Sequence, residues 1–199
     1  MIQRNMKGTN IMSKNFAVDV ETLGIESTAV VLSVALIPFE LDDESTYQEL
    51  IDKAMFVKFD AKEQLDTFKR TITKSTMTFW DSLGSLPKTK SFMPDKQIDV
   101  FAKEGIERVL NYVQPDKHTT FWARGTLDQV TLDSLCRNVG YDWICPYNQW
   151  MDFRTAISLL KDTAANGYCE IPGFDRSIVV KHDPVHDCAY DIKMLVEGK

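Results

Sequence analysis

Positive charge is in short supply in this sequence. Lys and Arg number 23 against 29 Asp and Glu, a formal net charge of −6 with histidine neutral. A protein that coats nucleic acid is normally basic, so this balance speaks against a role confined to binding. Enzymes stay open, because an enzyme must release its product and bound divalent cations invert the field of a carboxylate cluster. Long apolar runs are also missing. The longest, residues 29–39, contains Ser33 and Pro38 and falls well short of the roughly 20 residues a membrane helix needs. Met1 to Asn15 is mostly polar and has no apolar centre of the kind a secretion signal requires. These two gaps predict a cytoplasmic protein with no membrane partner. Cysteine is sparse and unpaired: Cys136, Cys145, Cys169 and Cys188 form no CxxC pair and no zinc-like spacing with the three histidines. Reduced, structural thiols are the expectation. Repeats, low-complexity tracts and long linkers are absent as well.

The sequence has 199 residues with 44% hydrophobic and 26% charged content, which suits one globular domain with its own core. Residues 1–14 show no periodicity and are predicted to be a disordered leader, with the domain spanning 15–199. Short apolar runs at 16–20, 29–39, 54–59 and 119–123 predict strands. Helices are predicted at 73–83, 96–113, 126–139, 152–161 and 187–196. The second of these carries an apolar stripe (Ile98, Phe101, Ile106, Val109, Val113) interrupted by Gly105. The third opens with Thr126 and Gln129 in capping-box spacing. Three early strands followed by alternating helices and strand predict an α/β fold, a mixed central sheet flanked by helices.

Three groups of acids carry the chemistry. Asp19 and Glu21 end the first strand. Residues two apart on a strand share a face, so their carboxylates converge and repel, and a divalent cation relieves that repulsion. Taken alone, a solvated strand end is the better explanation of the pair. Asp128 lies in the first turn of a helix after an apolar strand, where complementing the helix dipole is a sufficient reason for an acid. The third group is the run His182-Asp183-Pro184-Val185-His186-Asp187-Cys188-Ala189-Tyr190-Asp191. On a wheel over 187–196, Asp191 lies at the edge of the apolar arc and Asp187 lies further round, toward solvent. That places Asp191 in a shared site, with His186 on the loop before the helix. Asp183 before Pro184 is an alternative helix start, which would put His186 in the first turn.

Asp19-x-Glu21, Gly125-x-x-Asp128, and His186 followed five residues later by Asp191 together resemble the three motifs of the DEDDh (DnaQ-like) 3′–5′ exonucleases. Residues 16–196 resemble more closely the Rv2179c-like group, which includes the exonuclease A enzymes of T-even-type phages. Lys58-Phe59-Asp60, Trp122-Ala123-Arg124-Gly125, Asp152-x-Arg154-Thr155 and the His-Asp-x-x-His-Asp-Cys-Ala run carry the match. The resemblance implies an RNase H-like fold and hydrolysis of terminal phosphodiesters to nucleoside 5′-monophosphates by a two-metal mechanism. Asp19 would bridge the metals, Glu21, Asp128 and Asp191 would hold one or the other, and His186 would be the general base. Oxygen ligands favour two Mg²⁺ ions, or Mn²⁺. Thr22, Leu23, Trp80, Arg124 and His182 are the expected substrate contacts: Leu23 as a wedge against a base, Trp80 as a stacking platform, and Arg124 or His182 at a phosphate. The expected partner is the 3′ end of a nucleic acid, DNA rather than RNA, in a bacterial or phage-infected cell. An exoribonuclease on the same fold and a catalytically silent binding module are the competing readings.

Overall fold

The computed structural model describes residues 14–199. The expected leader therefore falls on residues outside that range, apart from Lys14, which opens the first strand. Five strands form one sheet in the order β3-β2-β1-β4-β5, built from β1 (Lys14–Thr22), β2 (Val31–Phe39), β3 (Met55–Lys58), β4 (Thr119–Ala123) and β5 (Trp150–Asp152). β2 pairs antiparallel with both β1 and β3, while β4 pairs parallel with both β1 and β5. The sheet is therefore mixed, as the strand pattern predicts.

Alternation along β1 decides what each face packs against. Phe16, Val18 and Val20 point into one core with Ile106, Val109, Leu132 and Leu135 from α5 (Ala102–Val113) and α6 (Leu127–Asn138). Ala17 points to the other face, where Val185, Cys188, Ala189 and Ile192 of α8 (Pro184–Glu197) join Phe153 and Ile157 of α7 (Phe153–Leu160). Asp19 and Glu21 share that second face with Ala17, because side chains alternate with period two. Four shorter pieces complete the layers: α1 (Tyr47–Asp52), α2 (Ala61–Phe68), α3 (Lys74–Ser82) and α4 (Ser85–Pro87), the last running on into a turn over residues 88–92. Neither α1, α2 nor β5 has a strong enough apolar pattern to stand out in the sequence.

Three local expectations are corrected. The helix expected from 96 starts only at Ala102, and Ile98 and Phe101 are 54% and 61% exposed rather than part of the stripe. Residue 100 has a better partner: the Val100 amide donates to the Lys58 carbonyl at 2.9 Å, and its carbonyl accepts from Asp60 at 2.8 Å. Glu63 then accepts the free Ala102 amide at 2.7 Å and starts the helix there. Thr126 precedes α6, yet its side chain makes no capping bond, so the capping box with Gln129 does not form. Finally, α8 begins at Pro184, not at 187. Asp183 accepts the Val185 amide at 3.0 Å and proline occupies the first turn, where its missing N–H costs nothing. That is the alternative start the sequence left open, and it puts His186 in the first turn.

Gly105 is the tightest approach between α5 and the sheet. A Cβ there would lie 2.3 Å from Cε1 of Phe59, so only glycine lets this helix rest on that ring.

Candidate active site

The site forms at the carboxyl ends of the parallel strands, where β1 outruns β4. Pairing of the two strands stops at Ala17 and Trp122. Beyond that point the Val20 amide donates instead to Oδ1 of Asp128 at 3.1 Å. This bond pins the first turn of α6 against β1. The chain reaches α6 through Gly125, whose φ of +95° suits glycine and whose amide donates to Asp152 at 2.7 Å.

The start of α8 closes the other side. His182 sits just before the helix with a left-handed backbone, φ +61°, and its amide donates to Oδ2 of Asp187 at 2.9 Å. Ligand atoms of Glu21, His182 and Asp187 all lie within 4.8 Å of one another. Asp19, Glu21, Asp128, His182, Asp187 and Asp191 line a single cavity of about 840 Å³.

Burial and mutual repulsion raise the acids of the cluster together. Burial, then the charges of Asp128, Asp187, Glu21 and Asp191, hold the Asp19 carboxyl well above the ordinary carboxylate range. Glu21 is raised by burial and by Asp187 and Asp128. Burial pushes Asp128 up to about 7, against the opposing pull of the Val20 amide. Asp187 also rises to about 7, through burial and the nearby Asp191. Carboxyls held this way are stabilised by hard cations with oxygen ligands, so the donor set fits a divalent metal. Burial, with Lys181 adding to it, lowers His182 and favours its neutral, proton-accepting form.

Several expected residues play other parts. His186 does not line the cavity. Its Nδ1 lies 3.0 Å from the Tyr47 hydroxyl and accepts from the Val180 amide at 3.4 Å, an anchor between α1 and α8. Asp191 borders the cavity but is engaged by Arg124, whose Nε donates to both carboxylate oxygens at 3.0 and 3.1 Å. Arg124 also lines the cavity, donates to the Asn166 carbonyl at 2.8 Å and stacks 4.3 Å over the ring of Tyr168. Trp80 is fully buried, stacked on Phe92, with its indole N–H donated to the Thr22 carbonyl at 3.0 Å. It fixes the backbone just past Glu21 and offers no face to a base. Leu23 packs beside it in the core. Thr22 borders a second, smaller cavity of about 370 Å³ on the other side of Glu21, with Ser75, Thr76 and Phe79. Phe79 is 39% exposed and its ring meets the imidazole of His182 edge-on at 4.8 Å.

Asp187, expected toward solvent, instead joins Glu21 and His182 in the cluster. Two His-Asp pairs share the five-residue spacing, 182 with 187 and 186 with 191, so spacing could not choose between them. The signal available was Asp183-Pro184, a cap and first-turn pair that fixes the helix start. Once α8 begins at 184, Asp187 lies in its first turn, over the end of β1.

A family model described as "3'-5' exoribonuclease Rv2179c-like domain" matches residues 14–197. The chain belongs to the Rv2179c-like family of 3′–5′ exonucleases. Among curated relatives, an exodeoxyribonuclease of Enterobacteria phage T4 is 28% identical over 201 residues, 91% of this chain and 87% of that protein. Among solved structures, the zinc-bound Escherichia coli exonuclease I–ssDNA complex superposes with a TM-score of 0.61 at 13% identity. It covers 93% of this chain and 40% of that one. A second exonuclease I complex, with a dA13 oligonucleotide, gives 0.56 at 11% identity over 94% of this chain and 41% of that one. This Rv2179c-like chain thus spans about two fifths of those solved proteins and shares their RNase H-like fold. Among the described residues no helix is long and apolar enough to cross a membrane.

Proposed function

We propose that this exonuclease removes nucleotides from the 3′ end of single-stranded or frayed DNA. In this reading Asp19, Glu21, Asp128 and Asp187 hold two divalent cations, Mg²⁺ or Mn²⁺. The observation that carries it is the convergence of Asp19, Glu21, Asp128 and Asp187 with His182 in one cavity at the end of β1. Bound there, the cations would activate the attacking water and stabilise the leaving 3′ oxygen.

The chain's own groups divide the remaining work. Asp19 and Glu21, fixed on one face of β1, with Asp128 and Asp187 from two helices, set the position of the cations. His182, kept neutral by burial and facing Glu21, accepts the proton of the attacking water at an imidazole nitrogen. Water adds to phosphorus, the P–O3′ bond breaks, and a nucleoside 5′-monophosphate leaves a shortened strand with a 3′-hydroxyl. The smaller cavity has no cationic side chain among its lining residues, and its hydroxyls and Phe79 suit an uncharged terminal nucleoside. The assignment of His182 and Asp187 replaces that of His186 and Asp191, which are held by Tyr47 and Arg124.

The phage T4 relative supports DNA as substrate, and the family description supports RNA. Digestion of matched 5′-labelled DNA and RNA strands with Mg²⁺ or Mn²⁺, and Asp19→Ala as control, tests the reading. A nucleotide ladder on DNA that the control lacks is expected. A ladder on RNA alone would transfer the assignment to an exoribonuclease, and none on either would end it.

A further inference from the structure

The larger cavity that holds the acids also has cations in its lining. Arg154 comes from the start of α7, Arg176 from the short turn at 176–178, and Lys181 from the residue before His182. All three side chains belong to exposed residues, and among the described residues none lies within 4.0 Å of a carboxylate. Arg124, the fourth cation there, is different, since Asp191 neutralises it. Solvated surface cations usually scatter or pair with neighbouring acids. Here three separate segments bring cations without a carboxylate partner to the cavity that holds the acid cluster, Arg154 and Arg176 donating only to the Arg124 and Cys169 carbonyls at 3.1 and 2.9 Å. Two aromatic rings line the same cavity: Tyr168, 54% exposed, and Tyr190, with the Arg176 guanidinium 5.9 Å from its centroid.

The two cavities therefore differ in charge on either side of Glu21. The smaller one suits a neutral nucleoside, and the larger one suits a polyanion once cations neutralise its acids. We infer that Arg176 and Lys181, with Arg154, form a subsite for the internucleotide phosphate next upstream of the scissile one, with Tyr168 offering a stacking face to the base beside it. The inference rests on the proposed nuclease reading and adds a substrate preference to it. A dinucleotide has no phosphate beyond the scissile one and leaves this subsite empty. A trinucleotide, or a dinucleotide bearing a 5′-phosphate, fills it.

The test compares kcat/KM for a dinucleotide, its 5′-phosphorylated form, a trinucleotide and a pentanucleotide, in the sugar class the wild-type protein degrades. The wild type should prefer the 5′-phosphorylated dinucleotide and the trinucleotide over the plain dinucleotide by roughly tenfold, the effect of two charge-assisted contacts at an exposed site. Arg176→Gln/Lys181→Gln should erase that ratio, and Arg176→Lys/Lys181→Arg should restore most of it. Restoration by charge alone separates phosphate binding from a structural role. Equal rates on the plain and 5′-phosphorylated dinucleotides in the wild type, or an equal fall at every length in the Gln variant, would overturn the subsite. Fluorescence anisotropy of the same oligonucleotides in Ca²⁺ keeps the two readings apart. Binding that depends on the 5′-phosphate without any cleavage would retain the subsite and sink the nuclease assignment; cleavage indifferent to it would sink the subsite alone.

Discussion

The choice between His182 and His186 can be made by one pair of substitutions. If His182 accepts the proton of the attacking water, His182→Ala removes a positioned general base, which is worth about 10²–10⁴ in rate, or roughly 2.7–5.4 kcal/mol of barrier. Its imidazole lies with Glu21 and Asp187 inside a 4.8 Å cluster and makes edge-on contact with Phe79, so the loss should fall on the chemical step. His186→Ala instead removes the hydrogen bond to Tyr47 and that from the Val180 amide. Two ordinary hydrogen bonds are worth about 1–3 kcal/mol of stability together, and their loss should lower the melting temperature while changing the chemical step less than tenfold. The assay is single-turnover release of the terminal nucleotide from a 5′-labelled strand at saturating Mn²⁺, alongside thermal unfolding of each variant. Unfolding data matter because His182→Ala should leave the melting temperature close to wild type. A slower chemical step in His186→Ala than in His182→Ala would refute the reasoning and return the catalytic role to the later histidine.

Asp187→Asn should weaken Mn²⁺ binding at least tenfold by calorimetry. Asp191→Asn should instead cost about 3 kcal/mol of stability, because it leaves the Arg124 guanidinium half-buried without a carboxylate. Equal effects of the two on metal affinity would argue for a shared role. Metal-free stability should fall as pH rises. Asp128 and Asp187 carry folded values of about 7, above the ordinary carboxylate value, so the folded state holds protons that the unfolded chain has already released. Their contribution is complete below about pH 4 and is lost as pH rises through 7, with a slope of up to about 1.4 kcal/mol per pH unit for each group. Mn²⁺ replaces those protons, so the gain in melting temperature over an EDTA control should be larger at pH 8 than at pH 5.5, and a pH-independent gain would contradict the linkage. Gly105→Ala places a Cβ 2.3 Å from the Phe59 ring and should destabilise the fold by about 1–3 kcal/mol in urea unfolding, although alanine is the better helix former.

Much of the chemistry was written in local pattern. The period of a strand puts Asp19 and Glu21 on one face whatever surrounds them, and the turn after β4 puts Asp128 at a helix start; both follow from backbone geometry over a few residues. The mixed sheet likewise follows from the order of strand-like and helix-like runs. Tertiary structure decided the rest, for one reason: each open question concerned a partner far away in the chain. Val100 left the helical pattern because Lys58 and Asp60 offered its backbone a strand partner. Trp80 and Phe79 are equally aromatic, and packing against Phe92 and the Thr22 carbonyl determined which of them was buried. Two His-Asp pairs had the same spacing, and only the docking of α8 against β1 brought one pair to Glu21 and gave the other to Tyr47 and Arg124.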